Sequence, residues 1–260
     1  KLFADTLTEL EQVAASPAAL SGDWQGIKQQ LAKLEAGRPG TYFYVLPDGN
    51  YYSLALDYTN LNLRDRGYFQ DLFAGKPVKG FPIYSRSSGR KSAVVAAPVL
   101  ADGKVTGAIG ASVYLDELHA KLNREFALPA DYTWFVVDAE GNTMLDRDSD
   151  FIFMNTLSQG SVSLQEAVLQ ALETGSGKLQ YELGGVRHAW YQKLPDMNWW
   201  LFVAKVEPDS QAAPQLTLSL ERFVPELQAA LDRIDNSMTA RIEHHAFDPQ
   251  DEGRAHALLR

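Results

Sequence analysis

The sequence predicts an α+β fold in which a helical arm precedes two similar units, each with helices packed against an antiparallel sheet. Two observations predict it. A strand, turn, strand pattern around Val45 to Asn50 recurs 92 residues later around Val137 to Asn142. In both halves a helix-like stretch and three further strand-like stretches follow this hairpin. The predicted divisions are a helical arm (1–36), a first unit (37–128), a second unit (129–206) and a helical tail (207–260).

The arm carries apolar residues at helical spacing through residues 4–35. Ser16 and Pro17 interrupt the pattern, and Asp23 is placed to cap a helix that begins at Trp24. The sequence therefore predicts a long helix, a break and a second helix.

The first unit begins with a tyrosine-rich hairpin that turns at Pro47, Asp48, Gly49 and Asn50. Gly75 ends the helix that comes after the hairpin. The predicted elements are a hairpin over 41–56, a helix over 66–74, strands near 82–86, 92–100 and 104–115, and a connecting helix over 116–126.

The second unit repeats this arrangement. Its helix ends at Gly175, and the turns at Gly184-Gly185 and at 195–198 separate the last three strands. The predicted elements are strands over 132–137 and 143–145, a helix over 163–173, and strands near 177–183, 186–194 and 199–206.

The tail contains apolar residues spaced alternately by four and three. This spacing is typical of a coiled-coil seam, which would make a homodimer, and equally of a helix packed on its own domain. The residues in question are Leu220, Val224, Leu227, Leu231, Ile234 and Met238.

Composition excludes several classes of function. The 260 residues carry a formal net charge of −9, the wrong sign for binding the phosphates of nucleic acid. The chain has no cysteine, so thiol catalysis and disulfides are excluded. The stretch from Asp146 to Asp150 resembles the start of a calcium loop, but Phe151 stands where that loop needs glycine. No motif pairs a nucleophile with a base or cradles a nucleotide, so we expect neither an enzyme nor a cofactor or metal site.

Several stretches of the first unit carry a family resemblance. Asp65-Arg66-Gly67-Tyr68-Phe69, then Tyr84 to Arg90, Asp102 to Val105 and Gly110 to Leu118, are similar to motifs of the double Cache sensor domain. This PAS-like, extracytoplasmic module occurs in bacterial chemoreceptors and sensor kinases. The resemblance covers about residues 1–206. It implies a long N-terminal helix, a membrane-distal ligand-binding unit over 37–128 and a membrane-proximal unit over 129–206.

The resemblance also implies a ligand site in the first unit. Arg66, Tyr68 with Phe69, and Tyr84 match the family's ligand-contacting positions, whereas Ser112 stands where the amino-acid-binding members have an aspartate. Since a serine cannot pair with an ammonium group as a carboxylate does, an organic acid becomes a candidate beside an amino acid.

The residues themselves favour a small anionic ligand. A guanidinium such as Arg66 can bind a carboxylate through two N–H groups. Arg86 shares a strand face with Tyr84, and the small residues of one face of 104–115, ending in Ser112 and Tyr114, predict free space. Alternatively, Arg66 braces its helix and the aromatic residues belong to the core.

From the resemblance we expect a periplasmic or extracellular ectodomain, tethered to a membrane in the full-length protein, that binds a small carboxylate-bearing solute and signals through its helices. The alternative is a structural or dimerisation module without a ligand.

Overall fold

The structure is a computed structural model that describes residues 2–38, 40–195 and 197–207. Helices pack on two antiparallel sheets, which confirms the predicted α+β fold. In the described residues, none of the helices is long and apolar enough to cross a membrane. The apolar residues of the predicted tail seam lie outside the described residues.

Two breaks divide the N-terminal arm into α1 (Leu2–Ala14), α2 (Pro17–Ser21) and α3 (Trp24–Gly37). Ser16 caps α2 by accepting a hydrogen bond from the Ala19 amide at 3.3 Å, and Asp23 caps α3 through the Gln25 amide at 3.1 Å. The predicted break and the Asp23 cap are confirmed. The second break, at Gly22 with φ 70°, was not predicted because an isolated glycine is also tolerated inside a helix.

The first sheet has the strand order β3-β2-β1-β6-β5-β4. One of its faces packs on the arm, through residues such as Tyr42, Val95 and Ile109. The opposite face, which includes Phe43 and Val94, is covered by the segment that contains α4. The elements are β1 (Gly40–Val45), β2 (Asn50–Ser53), β3 (Asp57–Asn62), α4 (Phe69–Phe73), β4 (Val78–Tyr84), β5 (Lys91–Ala101) and β6 (Lys104–Tyr114).

The second sheet has the order β8-β7-β11-β10-β9. When β3 is left out and the strands of each sheet are counted along the chain, both sheets have the order second, first, fifth, fourth, third. The internal repeat is therefore confirmed. The elements are α5 (Leu115–Phe126), β7 (Tyr132–Asp138), β8 (Thr143–Asp146), a 3-10 turn (Ser149–Phe151), α6 (Thr156–Gln159), α7 (Val162–Thr174), β9 (Ser176–Glu182), β10 (Val186–Lys193) and β11 (Trp199–Val206).

The structure of the first unit differs from the predictions at three places. At the first, the structure has a strand, β3, where the sequence predicts none. The helix predicted over 66–74 is shortened to α4, because the amides of Arg66 and Phe69 make turn bonds to residues three positions back, at 3.0 and 2.9 Å. The strand predicted at 82–86 is instead β4, which begins earlier and passes through an irregularity at Gly80 with φ 85°.

Helix α5 connects the two sheets and is bonded to the second one. The Asn123 side chain donates to the Arg147 carbonyl at 2.8 Å and accepts from Trp134 Nε1 at 2.9 Å. His119 Nδ1 lies 2.6 Å from the Asp146 carbonyl oxygen. At its other end α5 continues directly from β6, so the two sheets are joined both covalently and by side-chain bonds.

Candidate ligand-binding site

The segment from Leu63 to Leu72 crosses the face of the first sheet that is turned away from the arm. Leu63, Phe69 and Leu72 are buried there against the sheet. Because these apolar residues fix the segment, the polar residues between them are held beside the sheet. The segment carries three of the seven predicted ligand-contacting residues, Arg66, Tyr68 and Phe69.

Arg66 is half-buried and only partly hydrogen-bonded. Its Nη2 donates to the carbonyl oxygen of Tyr84 at 2.7 Å, which ties the segment to the end of β4. Its Nε is buried and has no hydrogen-bond partner among the residues that the structure describes. An unmade hydrogen bond to a buried donor costs roughly 1–3 kcal/mol, so an acceptor brought by a ligand would be favoured here.

Arg86 lies near Arg66 but is committed to protein partners. Its Nη2 contacts Asp65 Oδ2 at 2.6 Å, and its Nη1 donates to the Asn62 carbonyl. The hydrogen bond from Arg86 lowers the pKa of the Asp65 carboxyl. Arg86 therefore anchors the segment, and Arg66 keeps the unpartnered donor.

Tyr68 and Phe69 are both buried in the core on this face of the sheet, with different ring partners. Tyr68 is 3% exposed, and burial raises the pKa of its phenol while Arg66 and Arg86 oppose the rise. Its ring packs edge-on against Phe81 with centroids 5.4 Å apart. Phe69 is stacked on Phe73 at 4.4 Å and belongs to the core. Tyr68 is thus a neutral phenol close to both guanidinium groups.

Ser112 and Tyr114 lie on β6, on the sheet face that the segment covers. Ser112 is buried and pairs with Val94 and Thr41 across the neighbouring strands. The Tyr114 hydroxyl lies 2.8 Å from Thr41 Oγ1, and the Arg90 guanidinium lies 3.6 Å above its ring. Arg90 also bonds Asp116 and Glu117, so Tyr114 is held in a cluster with partners of its own.

Tyr84 is not brought together with the other predicted residues. Its neighbour Ile83 is part of the core on the covered face, so the Tyr84 side chain points to the opposite face. There it is 56% exposed and packs edge-on against Phe153, which lies beyond β8 in the chain, at 5.2 Å. Only its backbone carbonyl contacts Arg66.

The small residues of β6 do not leave free space at Gly110. A methyl group built on Gly110 would lie 2.2 Å from Cζ of Phe43, so this ring fills the space. The prediction of room at this position is therefore wrong, because it considered β6 without the large side chain of neighbouring β1. Phe43 and Tyr51, whose rings pack edge-on at 6.2 Å, were both missed at the site. The sequence does contain a signal for them: side chains alternate along a strand, so Phe43 and Tyr51 point to the face opposite to that of their neighbours Tyr42 and Tyr52.

A large cavity adjoins this site, and Gly67 and Tyr68 are among its lining residues. It is a cleft of about 940 Å³ between the two sheets. Its walls are β4 with the residues leading into it, the turn between β7 and β8, and the turn before β11. Among the described residues, no group of three or more metal-ligating side chains is close enough to hold an ion.

These features define the class of fold: a helical arm and two PAS-like sheets of the same strand order, with a polar segment over the first. No family model and no curated protein matches the sequence. Solved structures do match. The ligand-binding domain of the Pseudomonas aeruginosa amino acid chemoreceptor PctB in complex with L-glutamine is 17% identical, with a TM-score of 0.61, covering 88% of this chain and 91% of that one.

Two further similar structures come from other bacterial chemoreceptors. The periplasmic sensory domain of Campylobacter jejuni Tlp1 is 16% identical, with a TM-score of 0.61 and coverage of 79% of this chain and 89% of that one. The ligand-binding domain of Pseudomonas fluorescens CtaA in complex with L-isoleucine is 15% identical, with a TM-score of 0.60 and coverage of 79% and 85%. The chain therefore has the fold of these sensory domains.

Proposed function

We propose that this chain is the sensory domain of a bacterial receptor and that it binds a small carboxylate-bearing solute beside Arg66. The observation that carries the proposal is the buried Nε of Arg66, which has no partner in the described part of the chain. A ligand carboxylate would satisfy this donor with a charge-assisted hydrogen bond. The similar domains of PctB and CtaA bind amino acids, which supports a ligand of this size.

The site favours an organic acid at least as much as an amino acid. Ser112 offers a neutral hydroxyl where a carboxylate would pair with an ammonium group. Asp65, the nearest acid of the segment, already pairs with Arg86. In this proposal Arg66 and Tyr68 recognise the carboxylate, and Phe43 and Tyr51 form the apolar wall.

Titration calorimetry of the 260-residue chain with acetate, lactate, malate, L-alanine and L-glutamine tests the proposal. For the solute that binds most tightly, Arg66→Ala should weaken binding about tenfold or more, the range for a lost hydrogen bond to a charged group. Arg64→Ala is the matched control, since Arg64 is an exposed arginine two residues away. Equal affinity in the wild type and Arg66→Ala would remove Arg66 from the site.

We also propose that the domain lies in the periplasm or outside the cell, that the full-length protein is tethered to a membrane, and that ligand binding is reported through the helices. The division at residues 36, 128 and 206 belongs to this proposal. Signalling requires the ligand to bind one arrangement of the first unit against the arm more tightly than another. A ligand-free dimerisation module instead predicts no thermal shift with any of the five solutes, and loss of the dimer when residues 207–260 are deleted.

A further inference from the structure

The cleft between the sheets has a volume of about 940 Å³, at the upper end of the range for small-molecule sites. We propose that it is a second binding site, separate from the one at Arg66, and that its ligand is a short zwitterionic peptide of two to four residues. Three features of the walls support this proposal: opposite charges, a free strand edge and an apolar floor.

The two walls carry opposite unpaired charges. Lys79 on β4 is half-buried, and Glu140 in the turn after β7 is exposed. Within the described residues, neither takes part in an ion pair. The other acid on the β4 side, Asp71, pairs with Lys76 at 2.8 Å. A ligand with a carboxylate at one end and an ammonium at the other would match Lys79 and Glu140.

The remaining charged groups of the cleft do not disturb this match. Asp138 is buried and accepts hydrogen bonds from Asn142 and from the Glu140 amide, so its carboxylate is used within its own turn. Lys193 is exposed, and its Nζ lies 4.8 Å from the centre of the ring of Trp200, its partner on the neighbouring strand, so this charge is engaged within its own sheet.

The edge of β4 supplies the peptide-binding surface. β4 is the last strand of the first sheet, and no described strand pairs with its outer side. All seven residues from 76 to 82 line the cleft. Pro77 and Pro82 have no N–H, which leaves residues 78–81 as the stretch of β4 where alternate residues can bond an added strand. At about 3.3 Å per residue this stretch is as long as a peptide of the proposed length.

The floor of the cleft is apolar and closely packed. A methyl group on Gly80 would lie 3.0 Å from Cε of Met197 and 3.1 Å from a ring carbon of Trp199. Phe81, which is 36% exposed, lies beside them on the wall. These residues can receive an apolar side chain of the peptide, and the glycine allows the two sheets to approach this closely.

Calorimetry with the tripeptide Ala-Phe-Ala tests the proposal. The free peptide should bind, and its N-acetylated, C-amidated form, which lacks both charges, should bind about 25-fold more weakly. Lys79→Gln and Glu140→Gln should each weaken binding of the free peptide about fivefold, as expected for one partly exposed ion pair. The matched controls are Lys104→Gln and Glu173→Gln, which remove exposed charges elsewhere.

Two results would overturn the second site: no binding of Ala-Phe-Ala at millimolar concentration, or equal binding by the wild type and both cleft variants. If Arg66→Ala alone abolishes peptide binding, the peptide occupies the other site and the proposal also fails. Binding of the organic acids tests the Arg66 site independently, since Lys79→Gln should leave it unchanged.

Discussion

Asn123 is one of two side chains, with His119, that bond α5 to the second sheet, and its removal should destabilise the protein measurably. Asn123→Ala deletes the acceptor of Trp134 Nε1, 2.9 Å away, and the donor to the Arg147 carbonyl, 2.8 Å away. The Trp134 side chain is 2% exposed, so water cannot readily replace the lost acceptor.

The magnitude can be worked from these two bonds. A buried indole N–H left without an acceptor costs about 1–3 kcal/mol, and the second bond contributes about 1 kcal/mol. The free energy of unfolding should therefore fall by about 2–4 kcal/mol. At roughly 2–4 °C per kcal/mol for a chain of this size, the midpoint of thermal unfolding should fall by about 5–15 °C.

Urea and thermal unfolding, monitored by circular dichroism, measure this change. Glu125→Ala, an exposed substitution on the same helix, serves as the control and should have little effect. The Trp134→Phe background removes the indole N–H, so Asn123→Ala should be less destabilising there. If Asn123→Ala lowers the free energy of unfolding equally in both backgrounds, the coupling energy between the two residues is zero, and the buried indole N–H is not the source of the destabilisation.

Three further outcomes are expected. Ser112→Asp should shift the preference of the Arg66 site from organic acids to amine-bearing ligands, measured as the ratio of the two dissociation constants; an unchanged ratio would show that residue 112 does not face the amine. Burial raises the pKa of Asp146 to about 7, so stability contributed by its protonated form should be lost as pH rises from about 4 to 7. Asp146→Asn should flatten this dependence in melting curves, and a slope equal to that of the wild type would contradict it. Gly110→Ala should destabilise the protein by about 1–3 kcal/mol through its clash with Phe43, and Phe43→Leu should relieve that loss; additive effects in urea unfolding would exclude the clash.

Most of the fold could be predicted because its signals are local. The turns at Gly49 and Gly141 lie between strand-like runs, and the same order of elements comes after both. β3 could not be predicted in this way. Its residues are mostly exposed, so it lacks the alternation of buried and exposed positions that marks a strand. The turn from β2 into β3, residues 54–56, also contains no glycine, asparagine or proline to indicate a hairpin.

The site was less accessible to prediction than the fold. The structure places Arg66, Tyr68 and Arg86 close together, on a segment and a loop where motif spacing is informative. Tyr84 points to the other face because it alternates with Ile83, which is buried on the covered face, and a motif match gives the position of a residue but not the face to which its side chain points. The Phe43 ring lies over Gly110 because β1 pairs with β6, and this pairing cannot be predicted from the sequence of either strand alone.

The strand order of the two sheets has a consequence for how such a protein can be rearranged. In each unit the first strand pairs antiparallel with the last, so that Gly40 lies opposite Val113, and Tyr132 lies opposite Lys205. The two ends of the stretch of chain that forms each sheet, 40–114 and 132–206, therefore lie about one interstrand spacing of 5 Å apart. Chain ends this close allow such a stretch to be inserted into a host protein or circularly permuted through a short linker, because no strand of its sheet has to be separated from its neighbours. Such a stretch can also be exchanged for a related one. Duplication of one such stretch is a simple route to the repeat at an offset of 92 residues.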